Sequence, residues 1–447
     1  MALTGIEIYK KLPRTNCGDC GVPTCMAFAM KLAAGQAELS ACPHVSEQAK
    51  AELGEASAPP IRPVTIGTGD LAVKIGAETV MFRHEKTFVN PPAIGVLITD
   101  AMSDEEVKGR LERLNKMTFE RVGLTLRANA AVLKATKGDA GAFEALVKKV
   151  TEGTNCGIVL WSEDPAVLGD AVKAIADKKP LIGPATASTV DKVIELAKEK
   201  TLPIIAKADG IEPLMEITKK IQSAGLKDIV LDTGARKIKK LLEDNVIIRR
   251  LGVIAKNREL GFPTISFPCE MTDSLMKETL YASTMIAKYG GIIVLSDLQP
   301  ESLFPLLVAR MNIYTDPQRP MATTQGIYEI NNPNENSPVL ITSNFSLTYF
   351  IVAGELEGSR MPAWLLVMDT EGLSVLTAWA AGKFVADAIG PFVKKVGITD
   401  KVKNLRLIIP GAVAAISGEL EEELPEWKIM IGPREAAYIT PFLKQLQ

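Results

Sequence analysis

The sequence predicts an α/β multidomain protein with three folded parts: a small N-terminal unit organised by cysteines, a (β/α)8 TIM-type barrel, and a C-terminal Rossmann-like α/β unit. Three observations support this prediction. Four of the 6 cysteines lie near the N-terminus, short apolar strands alternate with amphipathic helices through the middle, and a polar, turn-rich segment precedes a last α/β stretch. At 447 residues the chain is long enough for several hydrophobic cores.

Composition excludes several classes of protein. The formal net charge is −2 and no basic block occurs, which argues against a nucleic-acid partner. No apolar run reaches the ~18 residues of a membrane span, and Met1–Lys11 lacks a signal-peptide pattern. So few cysteines for this length indicate metal binding in a reducing cytoplasm and not a disulfide framework. We expect Cys156 and Cys269, which lie on apolar stretches, to be buried core residues.

The metal-ligand candidates are four cysteines of the N-terminal unit with the spacing C-x2-C-x4-C-x16-C: Cys17, Cys20, Cys25 and Cys42. Gly18 and Gly21 let the backbone turn tightly around a metal centre. Four thiolates suit either zinc or a [4Fe-4S] cluster. Structural zinc sites usually combine two close cysteine pairs, whereas only one pair is close here. The spacing therefore favours the cluster, with zinc as the alternative.

The cysteine unit is expected to cover residues 1–57 and to depend on its metal for folding. A Pro- and Ala-rich linker of the stiff, extended kind, Gly54–Pro63, follows it and would serve as a mobile tether for the cysteine unit. Residues 64–90 alternate as strands do and predict hairpins, so that residues 58–92 form a linker and hairpins. The barrel is expected over residues 93–328 and the C-terminal domain over residues 329–447.

Eight short apolar segments, each followed by a helical stretch, predict the barrel, with a doubly wound sheet as the alternative. The predicted strands are Ile94–Thr99, Val122–Leu126, Gly157–Trp161, Leu181–Gly183, Pro203–Lys207, Ile229–Asp232, Thr264–Phe267 and Ile292–Ser296. Helices are predicted at Glu105–Leu114, Ala142–Thr151, Val190–Glu199 and Glu212–Ala224. Polar residues at the strand ends, where barrels carry chemistry, are Asp100, Glu163, Asp164, Lys207, Asp209, Asp232 and Asp297. For Lys207 we expect a salt bridge and not a Schiff base.

After the polar segment Asn331–Pro338, the last third predicts a separate α/β unit. Its predicted strands are Val339–Thr342, Trp364–Asp369, Leu405–Pro410 and Lys428–Gly432, with an apolar stretch at Ser346–Leu356. Predicted helices are Val375–Ala388, one from about Ala412, and Arg434–Leu446. The strands run into small or hydroxyl residues, which predicts a ligand crevice at their carboxyl ends. No loop matches G-x-G-x-x-G or a P-loop, so nothing indicates a nucleotide.

The opening Leu3–Pro13, the Asn-Cys-Gly-Asp-Cys-Gly run with Pro-Thr-Cys, and the order of barrel and crevice resemble one family over the whole chain. This family is the large (gamma) subunit of the corrinoid iron–sulfur protein, the methyl carrier of acetyl-CoA synthesis and cleavage in anaerobes. The resemblance implies two cofactors, a [4Fe-4S] cluster and a base-off corrinoid of the cobalamin type. The corrinoid cobalt would accept a methyl group from methyltetrahydrofolate or a related pterin and donate it to acetyl-CoA synthase. The cluster would reduce Co(II) to Co(I).

The partners implied are a small subunit forming a heterodimer, a pterin methyltransferase, acetyl-CoA synthase/CO dehydrogenase and a ferredoxin-type reductant. The four cysteines carry over one by one as metal ligands, and no catalytic residue is implied. Corrinoid contacts carry over only as a region: Thr342, Ser343, Asn344, Ser346, Thr348, Thr370, Glu371, Gly372, Leu373, Ser374, Thr377, Gly411, Ala412, Gly432, Pro433 and Arg434.

The chain contains only two histidines, His44 and His84, and neither lies in the C-terminal unit. The D-x-H-x-x-G signature of His-on cobalamin domains is also absent, so a bound corrinoid is expected to lack a protein imidazole below its cobalt. Two other functions remain open at this stage. The barrel could be a pterin-dependent methyltransferase that uses Asp100, Asp209 and Asp232, or the chain could be a zinc-containing scaffold subunit.

Overall fold

The computed structural model describes residues 4–33, 37, 39–46, 48–50, 53, 58–317 and 320–446. The chain forms two compact units. The first comprises Met1–Thr118 and Arg127–Tyr314, and the second comprises Phe119–Leu126 and Thr315–Gln447. Among the described helices, none is both long and apolar enough to cross a membrane.

Two helices pack against each other in the N-terminal part of the first unit. Helix α1 (Gly5–Lys11) begins with a capping box in which Thr4 and Glu7 satisfy each other's backbone N–H groups. Helix α2 (Cys25–Ala33) packs on α1, and Phe28 is 1% exposed between them and the following loop. This core is small, as the sequence predicted, and it contains cysteine side chains as well as aliphatic ones.

The described part of the predicted linker lies on the barrel. Arg62 N donates to Gly261 O at 2.8 Å, and Arg258 Nη1 donates to Ala58 O at 3.2 Å. Ile61 is 4% exposed. Residues 58–63 are therefore fixed to the barrel and are not a free tether, which corrects the sequence prediction for this part. Residues 54–57 of the linker lie outside the described residues.

A single hairpin follows the linker. Strands β1 (Val64–Ile66) and β2 (Val73–Ile75) pair antiparallel and share a hydrophobic core with the interior of the barrel. Val73 lies against Gly157 at the start of a barrel strand, where a Cβ would come within 2.9 Å of its Cγ2. The hairpin thus closes the amino-terminal end of the barrel. The sequence also predicted strands in the later part of residues 64–90, around Val80 and Phe82. That prediction was wrong, because residues 76–92 contain no strand.

The predicted barrel is confirmed: eight parallel strands close in the order β10-β11-β12-β3-β6-β7-β8-β9. They are β3 (Ala93–Thr99), β6 (Ala130–Lys134), β7 (Gly157–Trp161), β8 (Leu181–Ala185), β9 (Ile204–Lys207), β10 (Ile229–Asp232), β11 (Thr264–Ser266) and β12 (Gly290–Leu295). The surrounding helices are α3 (Asp104–Lys116), α4 (Ala140–Gly153), α5 (Pro165–Ile175), α6 (Val190–Lys198), α7 (Ile211–Ser223), α8 (Ile238–Val253), α9 (Leu275–Ala287) and α10 (Pro300–Tyr314). Strands enclosed by helices are apolar throughout, which explains their continuous hydrophobic runs.

One predicted barrel strand, Val122–Leu126, was wrong. These residues belong to a hairpin of β4 (Thr118–Arg121) and β5 (Leu124–Arg127), whose strands are largely exposed. Val122 and Gly123 have φ of +51° and +72°, the left-handed backbone of a two-residue hairpin turn. The real second strand, Ala130–Lys134, is buried between β3 and β7. Its alanines have low strand propensity, so local sequence favoured the neighbouring Val-Gly-Leu-Thr-Leu segment.

The second unit contains a five-stranded sheet in the order β13-β15-β14-β16-β17. Its strands are β13 (Gly326–Ile330), β14 (Val339–Ser343), β15 (Ala363–Met368), β16 (Arg406–Ile409) and β17 (Lys428–Ile431), parallel except for β13. The helices are α11 (Ser346–Ser359), α12 (Val375–Ala380), α13 (Ala386–Val396), α14 (Ser417–Glu423) and α15 (Ile439–Gln445). The expected single helix Val375–Ala388 is therefore two helices, separated by a turn with Gly382 at φ +71°.

Candidate functional site

The cysteine loop, residues 16–25, is shaped by turns at two glycines and by one hydrogen bond from a side chain. Gly18 and Gly21 have φ of +81° and +76°, and Gly21 N donates to Gly18 O at 2.8 Å. Asn16 Oδ1 accepts a hydrogen bond from Cys25 N at 2.8 Å, which ties the start of the loop to the first residue of α2. Cys25 is the first residue of α2.

The four candidate ligands differ in burial. Cys17 is exposed and Cys20 is half-buried, whereas Cys25 and Cys42 are 6% and 4% exposed. The last three belong to or pack against one apolar core. All six cysteines lie within the described residues, and none of them forms a disulfide. Cys20, Cys25 and Cys42 therefore share an apolar core of the kind that surrounds an iron–sulfur cluster, whereas Cys17 is exposed.

His44 lies beside this loop in a polar contact. Its Nε2 is 2.7 Å from Asp19 Oδ2, and hydrogen bonds from His44 and Cys17 hold the pKa of Asp19 below its ordinary value. Ligand atoms of Cys17, Asp19 and His44 lie within 4.8 Å of one another. His44 is therefore a hydrogen-bond partner of Asp19.

In the second unit, the strand order places a crevice between β14 and β16. From β14 the chain passes through α11 to β15 on one side, and from β15 it returns past β14 to β16 on the other. Open α/β sheets bind ligands at such a switch point. A cavity of about 290 Å³ lies there. It is lined by Leu340, Ile341, Thr342, Thr348, Ile351, Val352, Ser374, Val375, Leu376, Ile408, Ile409, Pro410, Ala412, Gly432, Pro433, Arg434, Ala436 and Ile439.

Seven of the residues predicted as corrinoid contacts line this cavity: Thr342, Thr348, Ser374, Ala412, Gly432, Pro433 and Arg434. The other predicted residues do not: Ser343, Asn344, Ser346, Thr370, Glu371, Gly372, Leu373, Thr377 and Gly411. Several of these build the loop after β15. Asn344 Oδ1 accepts hydrogen bonds from Thr370 N, Thr370 Oγ1 and Gly372 N, each at 3.0 Å. Asn344 therefore positions the loop that leads to Ser374.

The lining of the cavity is mostly apolar, and its polar side chains belong to Thr342, Thr348, Ser374 and Arg434. Thr342 is 2% exposed, and its Oγ1 has no hydrogen-bond partner within the described part of the chain. Arg434 is the one charged residue of the lining. A Cβ at Gly432 would come within 2.9 Å of Ile408 Cγ2 and 3.0 Å of Ile409 O, so a larger residue there would force its neighbours to shift. A mostly apolar cavity with one cationic side chain in its lining can hold a ligand that joins an apolar ring to an anionic group.

Sequence reasoning missed most of the apolar lining. Leu340 and Ile408 lie within strands, and Ile351 and Val352 lie on α11. Such residues have the same hydrophobic pattern whether they pack in a core or face a cavity. The exposure of Ile351 (49%) and Leu376 (54%) becomes visible only in the folded chain. No signal in a single sequence separates these two roles.

At the carboxyl end of the barrel, the predicted polar residues pair with one another. Lys207 Nζ lies 2.6 Å from Glu163 Oε1 and 5.3 Å from the centre of the Trp161 ring, which confirms the expected salt bridge. Arg236 donates two hydrogen bonds to Asp232, both at 3.0 Å. These side chains are therefore paired within the barrel.

The other acidic residues at the ends of the barrel strands differ in their hydrogen-bond partners. Asp297 accepts two hydrogen bonds from Arg113, at 2.9 and 2.8 Å, and Asp164 caps α5 through Ala166 N at 2.8 Å. Asp209 is exposed. Asp100 is buried and accepts hydrogen bonds from Thr136 N at 2.8 Å, from Lys137 N at 3.2 Å, and from Thr136 Oγ1.

The two cysteines outside the N-terminal unit are not ligand candidates. Cys156 is buried, as predicted, and burial raises the pKa of its thiol. Cys269 is only partly exposed and packs against the barrel core, where burial raises its pKa to about 12. Both thiols are therefore protonated at neutral pH.

Comparisons with known proteins identify the family. Residues 63–443 match the family described as "CO dehydrogenase/acetyl-CoA synthase delta subunit", and residues 12–44 match the one described as "Putative Fe-S cluster". The corrinoid/iron-sulfur protein large subunit of Moorella thermoacetica is 44% identical over 99% of this chain and 99% of its own length. The chain belongs to the family of this large subunit. The resemblance expected from the cysteine run is confirmed.

A second relative extends the family to archaea. The acetyl-CoA decarbonylase/synthase complex subunit gamma of Methanopyrus kandleri is 34% identical over 99% of this chain and 98% of its own length. Among solved structures, 7,8-dihydropteroate synthase from Vibrio fischeri ES114 covers 51% of this chain and 95% of its own, with 14% identity and a TM-score of 0.39. The barrel assignment rests on the strand pairing and not on this likeness.

Asp100 gives a testable pH dependence. Burial would raise the pKa of Asp100, but the hydrogen bonds from Thr136 and Lys137 outweigh it and lower the pKa below its ordinary value. A lowered pKa in the folded state stabilises the protein above the unfolded value of about 4, and this contribution is lost as pH falls below it. Asp100→Asn should lower the free energy of unfolding by about 1–3 kcal/mol at pH 7 and by less near pH 3.

Denaturant unfolding of the barrel at both pH values measures this difference. Asp104→Asn is the matched control, because the Asp104 side chain is 94% exposed in its salt bridge with Lys149. It should change stability by less than about 1 kcal/mol. An equal loss for Asp100→Asn at pH 7 and pH 3 would show that the hydrogen bonds do not favour the carboxylate.

Proposed function

We propose that this chain is a methyl carrier that holds a [4Fe-4S] cluster on its four N-terminal cysteines and a base-off corrinoid in the crevice of the second unit. The cavity at the β14/β16 switch point, which is lined by seven of the residues predicted to contact the corrinoid, is the observation that carries the proposal. When bound, the corrinoid would supply a cobalt nucleophile that accepts a methyl group from a pterin donor through a methyltransferase and releases it to acetyl-CoA synthase.

The cysteine loop would supply the cluster ligands Cys17, Cys20, Cys25 and Cys42. The cluster would provide single electrons at low potential, which restore Co(I) after oxidation to Co(II). Asn16 would hold the loop against α2, and the apolar core around Cys25 and Cys42 would limit water near the sulfurs. His44, paired with Asp19, would remain outside the ligand set.

The crevice residues would orient the corrinoid from its lower side. The apolar walls from β14, β16 and α11 would enclose the nucleotide base, and Arg434 at the edge would pair with the tail phosphate. The described part of the second unit contains no histidine, so its side chains offer no imidazole to the cobalt. Asn344 would fix the loop that carries Ser374 against the ligand.

A carrier role fits the barrel better than a pterin-dependent methyltransferase does. Asp100 and Asp232, which would have to protonate or hold the pterin, already accept hydrogen bonds from Thr136, Lys137 and Arg236. Releasing them for a substrate would leave buried charges unpaired. The barrel would then be a scaffold, and a separate methyltransferase would bring the pterin.

The partners follow from this role and from the names of the relatives. The Moorella relative is named a large subunit, and the archaeal relative is named a subunit of an acetyl-CoA decarbonylase/synthase complex. We propose a heterodimer with a small subunit, exchange of methyl groups with acetyl-CoA synthase/CO dehydrogenase, a ferredoxin-type reductant and a cytoplasmic location. The division into residues 1–57, 58–92, 93–328 and 329–447 would separate electron supply from methyl transport.

Removal of one cluster ligand tests the division of labour. Methyl transfer moves an electron pair together with the carbon, so the cluster should be needed only after Co(I) has been oxidised. Cys20→Ala, reduced chemically beforehand, should accept methyl groups at the rate of the unchanged protein. Presented as Co(II) with only a protein reductant, it should stay inactive. Methylation is followed at the corrinoid absorption bands from both starting states.

Cys156→Ala is the matched control, because it removes a cysteine from the barrel and should behave as the unchanged protein in both assays. If pre-reduced Cys20→Ala failed to accept methyl groups while its corrinoid remained bound, the cluster would take part in methyl transfer itself. The proposed role in reactivation would then be wrong.

The coordination of the cobalt is a separate prediction. With no histidine in the described part of the second unit and a cavity to receive the nucleotide base, the corrinoid should be base-off. The EPR spectrum of the Co(II) form should therefore show no superhyperfine splitting from an axial nitrogen. Free cobalamin at neutral pH, which is base-on, provides the positive control. A nitrogen triplet in the protein-bound form would contradict the prediction.

A further inference from the structure

A second cavity of the C-terminal sheet lies where β14, β15 and β16 begin, at the edge opposite to the crevice. We call it the amino-end cavity, and its volume is about 310 Å³. The lining of the crevice and the lining of the amino-end cavity share one residue, Ile408 in the middle of β16. The two cavities are therefore separate places on the same face of the sheet.

Much of the lining of the amino-end cavity is apolar. Its apolar side chains include Met361, Ile408, Met430, Leu443 and Leu446. Ile408 and Met430 come from neighbouring strands, and Leu443 comes from α15. Methionine and leucine side chains adapt their shape to an aliphatic group, and burial of such a group against them is favourable.

The polar part of the lining offers one cation and several amides. Arg406 is the charged residue of this lining, and Asn334, Asn336 and Asn404 add side-chain amide groups. Among the described residues, no carboxylate lines the cavity. The side chains of Asn404 and Arg406 have no hydrogen bond or ion pair within the described part of the chain. A guanidinium can only donate hydrogen bonds, so the missing partner of Arg406 is an acceptor, and an anion is the strongest one.

A second cation without a partner lies beside Arg406. Lys428 is paired with Arg406 in the register of β16 and β17, so both side chains point to the face of the sheet that carries Ile408 and Met430. Both are exposed, and Lys428 likewise has no ion pair in the described ranges of the chain. Like charges side by side on neighbouring strands repel each other, and an anion held between them would remove this repulsion.

The volume of the cavity limits the size of its ligand. At roughly 30 Å³ for each water-sized group, 310 Å³ holds about ten such groups. Nucleotides and corrinoids contain many more non-hydrogen atoms than this. A bare phosphate would leave the apolar side chains uncovered. An anionic head on a short aliphatic tail matches both the size and the two parts of the lining.

We propose that the amino-end cavity is a binding site for a small anionic amphiphile, either a carboxylate or a phosphate monoester with a short aliphatic tail. Arg406 donates hydrogen bonds to the anionic head, and Lys428 adds a second positive charge. The tail packs against Met361, Met430 and Leu443. This site lies outside the crevice, and the inference does not depend on the proposed function.

Isothermal titration calorimetry on the full chain, purified without oxygen, tests the inference with octanoate, octyl phosphate, octanol and inorganic phosphate. The better of the two anionic amphiphiles should bind at least about tenfold more tightly than octanol or inorganic phosphate, because only an amphiphile satisfies both parts of the lining. Which of them binds better identifies the head group. Replacing octanoate by hexanoate, which removes two methylene groups, should weaken binding about tenfold.

Variants locate the bound amphiphile. Arg406→Gln should weaken binding of the better anion about tenfold, and Lys428→Gln should weaken it by a smaller factor. Both residues are exposed, so thermal unfolding should be unchanged in both variants. Lys394→Gln is the matched control, because Lys394 is an exposed cation on α13, which packs on the other face of the sheet. It should bind the anion as the unchanged protein does.

Arg434→Gln separates the amino-end cavity from the crevice, because Arg434 lines the crevice alone. This variant should also bind the anion with unchanged affinity. Three results would overturn the inference: loss of binding in Arg434→Gln but not in Arg406→Gln, equal affinity for octanoate and octanol, or no binding of either anionic amphiphile at millimolar concentration. None of them would affect the proposed function, which is tested by metal analysis and methyl transfer.

Discussion

The strand order of the C-terminal sheet is the constraint on which the proposed ligand site depends. Because β15 and β16 lie on opposite sides of β14, the connections that follow β14 and β15 diverge and leave the strand ends uncovered. The cavity of about 290 Å³ forms at this point. A different strand order would have covered these ends, and the apolar residues of α11 would then pack as an ordinary core.

The two regions that could carry chemistry both contain paired and unpaired buried polar groups. At the mouth of the barrel, Arg236 and Asp232 form paired hydrogen bonds, and Lys207 is held by Glu163 and Trp161. In the second unit, the Thr342 hydroxyl has no partner in the described residues. Trp161 Nε1 and Thr233 Oγ1 of the barrel are also buried without a partner among the described residues, so the case for the crevice rests on its cavity at the switch point.

Much of the fold could be predicted from sequence because it depends on local patterns. The barrel strands are continuous apolar runs, and the glycines at positions 18 and 21 have the positive φ that the cysteine turn requires. The strand at Ala130–Lys134 was missed because pairing with β3 and β7, and not local propensity, makes it a strand. The cavity lining was missed for a similar reason: only tertiary packing decides whether Ile351 faces a core or a cavity.

In the proposed function, one chain holds both a corrinoid and an iron–sulfur cluster. An absorption spectrum of the anaerobically purified complex, combined with cobalt, iron and zinc analysis, tests it most directly. The account predicts about four irons for the four cysteines and one base-off corrinoid per chain, without stoichiometric zinc. One zinc per chain with neither iron nor cobalt in protein prepared without oxygen would contradict it.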